Sequence, residues 1–132
     1  MLRILTLLTA ILGLALAGNS TADAAGGGFA GYTPQKFAAA QNDGKTIVVD
    51  VHANWCPTCR AQAPILSDIA QDARAAGVVF LRVDFDKEKA FLRDHRIPRQ
   101  STILVFKGKR EVGRSIAETN RQRLNSFVFD RI

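Results

Sequence analysis

Two cysteines separated by two residues are the part of this sequence whose types and spacing indicate chemistry. Cys56 and Cys59 are the only cysteines among 132 residues, and they lie in the stretch WCPTC. A thiolate can attack a disulfide, and a second thiol one helical turn away can close a ring with the first. The spacing therefore predicts a redox-active dithiol/disulfide pair.

Other uses of the cysteine pair are less consistent with its surroundings. A structural disulfide would close a loop so small that it restrains the unfolded chain very little. A zinc site needs about four ligands, and only His52 and His95 could join the two thiols. Two unrelated buried cysteines would not account for Trp55 and Pro57 beside them. Redox exchange is favoured, with a metal-binding or chaperone-like binding module as the alternative.

The cysteines lie between a predicted buried strand and a predicted helix. Residues 46–53 are nearly all apolar and β-branched, which is typical of a strand buried on both faces. Helical composition extends over 56–76, with a kink at Pro64 and an end at Gly77. Unpaired N–H groups and a partial positive charge at the start of this helix would stabilise a thiolate on Cys56.

The other elements are predicted from periodicity, caps and turn residues. A first helix begins at Thr33-Pro34 and ends near Asn42, and Thr119 caps a last helix. Further strands are predicted at 78–84, Thr102–Lys107 and Arg110–Ile116, and a short helix at 87–95. This order predicts an α/β fold with a central mixed sheet of about four strands, flanked by helices on both faces.

The first residues have the pattern of a secretory signal. One early arginine precedes an apolar run over 4–17, and Ala22-Asp23-Ala24 supplies an A-x-A cleavage site. We therefore predict a signal peptide at 1–24, a flexible glycine-rich leader at 25–32 and a folded domain at 33–132. An uncleaved membrane anchor is the alternative. It is less favoured, because the apolar run is shorter than the roughly 20 residues that span a bilayer.

The charge distribution indicates a solvated surface. The chain has a net charge of +6, and its basic residues are scattered. Attraction to acidic partners or anionic lipids is the functional alternative. The aromatic interleaving of nucleic-acid platforms is missing from the sequence, so no binding of nucleic acid is expected.

The sequence resembles the thioredoxin family over most of 33–132. The stretch VVDVHANWCPTCRAQAPIL resembles the family's strand, active site and kinked helix, and VVFLRVDFD resembles its next strand. The resemblance implies a thioredoxin-like fold, with Cys56 as the exposed nucleophile and Cys59 as the resolving thiol. Asp50 lies where thioredoxins carry a buried acid, so it would deprotonate Cys59 through water. Trp55 would shield the site.

Two positions depart from the family's pattern. His52 replaces a large aromatic residue, and filling that space is favoured over electrostatic tuning of the thiols. The family's cis-proline position falls on Ser101, whereas Pro98 lies three residues earlier. A cis bond before serine would cost about 3–4 kcal/mol, and a trans bond would reshape the substrate groove. The resemblance implies substrate-binding or site-shaping roles for Trp55, Pro57, Thr58, Gln100, Ser101 and Thr102.

Together these features predict an exported thiol:disulfide oxidoreductase, more a reductase or interchange enzyme than an oxidase. The compact single domain, without a large helical insertion, resembles reductants. A reductant in an oxidising compartment needs a membrane thiol electron donor. We expect a periplasmic or otherwise exported monomer that acts on client proteins with disulfides or thiols. Its cofactor requirement would be met by the Cys56–Cys59 disulfide alone, with no metal.

Overall fold

A computed structural model describes residues 28–132. The predicted signal peptide and the anchor alternative lie outside these residues. Within 28–132, no helix has the length and apolar character needed to cross a membrane. The elements in chain order are β1 (Ala30–Gly31), α1 (Pro34–Asn42), β2 (Thr46–His52), α2 (Pro57–Gln71), a 3-10 turn (Ala73–Ala75), β3 (Val79–Asp84), α3 (Lys89–Asp94), β4 (Thr102–Lys107), β5 (Arg110–Ile116) and α4 (Arg121–Phe129).

The five strands form one mixed sheet in the order β1-β3-β2-β4-β5. Strand β2 is central, because it pairs in parallel with β3 and antiparallel with β4. Strands β4 and β5 form the closing antiparallel hairpin. The predicted α/β fold with a mixed sheet is therefore confirmed, with five strands where about four were expected.

Strand β1 corrects the predicted boundary of the domain. The flexible leader predicted at 25–32 is wrong for its described part, because β1 pairs in parallel with β3. The amide of Tyr32 donates to the carbonyl of Arg82 at 2.9 Å, and the ring of Phe29 lies edge-on to Phe80, 5.2 Å between centroids. The glycines suggested a linker, but the strand pairing, the Tyr32 amide and the Phe29 ring anchor the segment to the sheet.

The two faces of the sheet carry separate cores, so helices cover both. Alternate residues of β2 point to opposite faces. Ile47, Val49 and Val51 belong to the core beneath α1 and α3. Val48 belongs to the other core, which is closed by α2 and α4. Asp50 has the same parity as Val48, so its side chain faces the layer that contains α2 and the cysteines.

Helix ends differ from the predictions by a few residues. Thr33 caps α1 as expected, since its hydroxyl accepts the amide of Lys36 at 3.1 Å. The cap of α4 is Asn120 instead of Thr119, because the Asn120 side chain accepts the amide of Arg123 at 2.9 Å. Both neighbours are good capping residues, so composition alone does not distinguish them.

Candidate active site

Cys56 and Cys59 lie at the start of α2, immediately after the carboxyl end of β2. Cys56 is the N-cap, and its Sγ accepts the backbone amide of Cys59 at 3.1 Å. Pro57 is exposed in the first turn, where its missing N–H is not needed by the helix, and Thr58 is half-buried beside it. The local sequence thus fixes one sulfur against the helix terminus, with both cysteines as free thiols.

The two thiols have opposite shifts in pKa. Burial raises the pKa of Cys56, but hydrogen bonds from the Cys59 thiol, from Ser101 and from the Cys59 amide outweigh burial, so the pKa is lowered. Burial raises the pKa of Cys59, and its hydrogen bond to Cys56 raises it further. This difference suits Cys56 as the thiolate and Cys59 as the protonated partner.

The prediction that Cys56 is exposed is wrong for this structure. Cys56 has 0% of its surface exposed and Cys59 has 1%. The N-cap geometry turns the sulfur of Cys56 toward its own helix, where neighbouring side chains cover it. Because Cys56 is fully covered, contact between its sulfur and a client sulfur requires the covering groups to move.

Ser101 faces both cysteines, as the sequence register predicted. Its Oγ lies 3.1 Å from Sγ of Cys56 and 3.1 Å from Sγ of Cys59. The peptide bond before Ser101 is trans, since the described residues contain no cis bond. Ser101 instead has a φ of 63°, in the left-handed region that non-glycine residues rarely adopt. Pro98 is exposed in the approach loop.

The neighbours of Ser101 hold the β4 side of the site. The side chain of Gln100 contributes to the lowered pKa of the Cys56 thiol. Thr102 is buried as the first residue of β4, and its hydroxyl donates to the carbonyl of Arg99 at 2.8 Å. The structure therefore places Gln100 at the thiol, whereas Thr102 supports the loop that carries it.

Trp55 lies at the rim of the site. It is 55% exposed, and its indole N–H donates to a carboxylate oxygen of Asp86 at 2.9 Å. Asp86 follows β3, so this bond ties the residue before Cys56 to the neighbouring loop. Trp55 presents a broad apolar surface to solvent next to the buried sulfur.

Asp50 is buried on β2, as predicted, with 1% of its surface exposed. Its Oδ2 accepts a hydrogen bond from Nε of Arg82 at 2.9 Å, and Nδ1 of His52 lies 3.9 Å from the same oxygen. Burial raises the pKa of Asp50, and the charges of Arg82 and His52 oppose that rise. Its Oδ1 is buried without a hydrogen-bond partner.

A cleft of about 180 Å³ opens next to this acid. Arg82 and His52 line it together with Phe29, Asn54 and Asp86. The cleft brings solvent to the two basic side chains that contact Asp50. The electrostatic effect of His52 in this structure is therefore on the Asp50 carboxyl, whose pKa it lowers.

Arg82 and Gln62 are site residues that the sequence reasoning missed. Arg82 pairs directly across from Asp50 in the parallel register of β2 and β3. Gln62 is buried in α2, and its amide donates to the carbonyls of Ser101 at 3.3 Å and Glu118 at 2.9 Å. The available signal was a polar residue at an apolar position: Arg82 in VFLRVD, and Gln62 in the inner face of the helix.

The two histidines pack against groups other than the thiols. In the part of the chain that the structure describes, no group of three or more His, Cys, Asp or Glu side chains is arranged to hold a metal ion. His52 is close to Asp50, and His95 packs on the rings of Phe91 and Phe37, in the core beneath α1 and α3.

Comparisons with known proteins agree with this geometry. The thioredoxin family model matches residues 29–130. Thioredoxin H-type from Fagopyrum esculentum is 30% identical over 94 residues, which cover 71% of this chain and 79% of that protein.

Solved structures give the same result. Trxlp from Edwardsiella tarda EIB202 superposes with a TM-score of 0.71 at 35% identity, covering 73% of this chain and 93% of that chain. Malassezia sympodialis thioredoxin (Mala s 13) is similar in fold, with a TM-score of 0.68 at 20% identity over 75% of this chain and 88% of its own. The chain therefore belongs to the thioredoxin family and is a protein-disulfide oxidoreductase whose redox-active pair is Cys56 and Cys59.

Proposed function

We propose that this chain is an exported thiol:disulfide oxidoreductase that reduces or rearranges disulfides in client proteins. The observation that carries the proposal is the sulfur of Cys56, which accepts an amide hydrogen bond at the start of α2 within a C-x-x-C pair. A thiolate held in this way is a nucleophile at neutral pH. The exposed Trp55 beside it offers an apolar surface for a client segment.

Exchange proceeds in two steps. The thiolate of Cys56 attacks a client disulfide, so a mixed disulfide forms and one client thiolate leaves. Cys59 then loses its proton and attacks Sγ of Cys56, which breaks the mixed disulfide and releases the second client thiolate. Oxidation of the two thiols to the Cys56–Cys59 disulfide has transferred two electrons to the client. The raised pKa of Cys59, caused by burial and by its bond to Cys56, makes a proton acceptor necessary for the second step.

Asp50 is the proposed acceptor of that proton. Its carboxyl faces the layer that contains α2, and its buried Oδ1 has no hydrogen-bond partner in the protein. Because burial raises the pKa of Asp50, this group can exchange a proton closer to neutral pH than an exposed carboxyl. A water molecule is the proposed carrier of the proton from Cys59 to Asp50.

Insulin reduction with a dithiol donor tests the enzymatic proposal. Wild-type protein should accelerate the reduction, and Cys56→Ser should abolish turnover because the nucleophile is gone. Ser67→Ala is the matched control, since Ser67 is exposed and its hydroxyl bonds Gln71 on the outer face of α2. Turnover that survives Cys56→Ser contradicts the proposal, and stoichiometric metal in the same preparation would favour a metal carrier.

The direction of electron flow is tested separately, by equilibrium with glutathione. A reductase or interchange enzyme should have a potential in the range from about −270 mV to about −180 mV. A value near about −120 mV, which belongs to a strong oxidant, contradicts the proposed direction. The measurement needs no client, so it is independent of the insulin assay.

Export rests on the pattern of the first 24 residues, and the electron donor and monomeric state are proposed with it. Expression of the full chain in a bacterium with a periplasm should give a periplasmic protein. Its mass should equal that of a chain that begins at Ala25. A cytoplasmic full-length product contradicts export, and a membrane-bound full-length product indicates the anchor.

Cys59→Ala, which stalls the mixed disulfide, should capture clients and a membrane thiol donor. Size-exclusion chromatography tests the monomer.

A further inference from the structure

One hydroxyl group lies within hydrogen-bond distance of both reacting sulfurs. Oγ of Ser101 is 3.1 Å from Sγ of Cys56 and 3.1 Å from Sγ of Cys59. Ser101 is fully buried, and buried hydroxyls are almost always hydrogen-bonded. A hydroxyl has a single hydrogen, so it can donate to only one of the two sulfurs at a time.

We propose that Ser101 is a catalytic residue whose hydroxyl donates its hydrogen bond to whichever of the two sulfurs carries the negative charge. This inference rests on the proposed function and deepens it. In the reduced chain, the hydroxyl donates to the thiolate of Cys56, and this bond is one cause of the lowered Cys56 pKa. When the negative charge is on Cys59, the same hydroxyl donates to that sulfur, and its bond lowers the Cys59 pKa against the effect of burial.

The same hydroxyl serves the half-cycle in which a membrane dithiol reduces the chain. The donor's thiolate attacks Sγ of Cys56, so a donor–Cys56 bond forms and the Cys56–Cys59 bond breaks. The electron pair of the broken bond leaves on Cys59, and the Ser101 hydrogen turns toward that thiolate by rotation about the C–O bond. The donor's second thiol transfers its proton to Cys59 and displaces Cys56, which leaves as a thiolate. Two electrons have then passed from the donor to the chain.

The backbone around Ser101 is arranged so that the hydroxyl points at the sulfurs. The amide of Ser101 donates to the carbonyl of Val51 at 2.8 Å. Its carbonyl accepts the amide of Ala117 at 2.9 Å and the side-chain amide of Gln62 at 3.3 Å. A left-handed non-glycine residue persists only where its surroundings enforce it, and these three contacts do so here. The hydroxyl is therefore left for the thiol pair.

The proposal has a consequence for the redox equilibrium. A thiolate is a much stronger hydrogen-bond acceptor than a disulfide sulfur, so the hydroxyl stabilises the reduced chain more than the oxidised chain. Removal of the hydroxyl in Ser101→Ala should move the titration of Cys56 to higher pH. It should also shift the equilibrium with glutathione about tenfold toward the disulfide, which corresponds to a potential about 30 mV more negative.

A second variant separates the hydroxyl from backbone strain. Ser101→Gly also lacks the hydroxyl, but glycine adopts the left-handed conformation readily. If the hydroxyl is responsible, the alanine and glycine variants should shift in the same direction and by similar amounts. Ser67→Ala, the same chemical change on the outer face of α2, should leave both quantities as in the wild type.

The measurements are the pH dependence of alkylation by iodoacetamide and the equilibrium with glutathione, both on folded protein. Cys59 and Asp50 also titrate near the pair, but they are present in every variant, so differences between variants report the hydroxyl. A glycine variant that keeps the wild-type titration and equilibrium overturns the proposal, whatever alanine does. Neither readout uses a client protein. A failed insulin assay with these shifts intact would therefore contradict the proposed function and leave the role of Ser101 standing.

Discussion

Replacement of Arg82 by methionine removes the cation that neutralises the buried carboxylate beside the active site. Nε of Arg82 lies 2.9 Å from Oδ2 of Asp50, and methionine keeps an unbranched apolar stem at this position. A hydrogen bond to a charged group contributes about 1.5–3 kcal/mol. The Arg82 side chain is 38% exposed, so solvent screens the pair, and we expect the lower part of this range, about 1.5–2 kcal/mol.

The loss of stability should depend on pH in a definite direction. Burial raises the pKa of Asp50, and the charge and hydrogen bond of Arg82 oppose that rise, so the variant should have a still higher Asp50 pKa. An acid with a raised folded pKa destabilises the protein only where the unfolded state is ionised, above its ordinary value of 3.8. The loss of folding stability in Arg82→Met should therefore have its full size at about pH 8 and be small at about pH 4.

Urea unfolding followed by circular dichroism, at both pH values, measures this difference. The matched control is Arg121→Met, because Arg121 also pairs with an aspartate, Asp68, but both side chains are more than half exposed. We expect the control to lose less than about 1 kcal/mol at either pH. An Arg82→Met loss that is equal at the two pH values, or no larger than the control, would refute the electrostatic account of Asp50.

Three further predictions concern other parts of the domain. Gln62→Leu should lower the free energy of unfolding by about 1–2 kcal/mol in urea titrations, because the carbonyl of Glu118 loses a buried amide donor; an unchanged value would contradict this. Leu104→Ala should lose about 2–5 kcal/mol in the same assay, whereas Ile116→Ala, exposed on β5, should lose less than about 1 kcal/mol; similar losses would contradict the burial argument. By NMR titration, the carboxyl of Glu118 should have a pKa of about 2 instead of 4.5, chiefly because the Arg123 side chain hydrogen-bonds it. The contribution of ionised Glu118 to stability is then present above pH 4.5 and lost as the pH falls toward 2. An unchanged midpoint of the Glu118 titration in Arg123→Gln would contradict the assignment to Arg123.

The strands could be predicted because their patterns have a single structural explanation. Thr102–Lys107 and Arg110–Ile116 have the predicted bounds, and β2 ends within one residue of its prediction. Apolar runs rich in β-branched residues suit the buried strands β2 and β4, and β5 follows from the turn at Gly108. Strand β1 could not be found in this way, because two residues have no periodicity and its glycine-rich surroundings are typical of a linker.

The site was only partly predictable, because its missing parts depend on register and tertiary contact. The cysteine pair follows from its local motif, and Asp50 and Ser101 follow from counting along the chain against the pattern of the thioredoxin family. The pairing of Arg82 with Asp50 requires the register of two parallel strands, which no local pattern specifies. The burial of Cys56 follows from its N-cap geometry, and an active-site motif does not reveal on which side of the helix terminus a sulfur lies.

Strand β1 links the beginning of the folded domain to the electrostatics of the reaction. Gly31 is the register partner of Arg82, the amide of Tyr32 binds the Arg82 carbonyl, and the ring of Phe29 lies 5.5 Å from the Arg82 guanidinium. Residues 29–32 therefore position the cation that pairs with Asp50. A protease that trimmed past Gly28 would loosen this cation and change the acidity beneath the thiols without touching either cysteine. One short strand at the edge of the sheet thus bears on the acidity of the site.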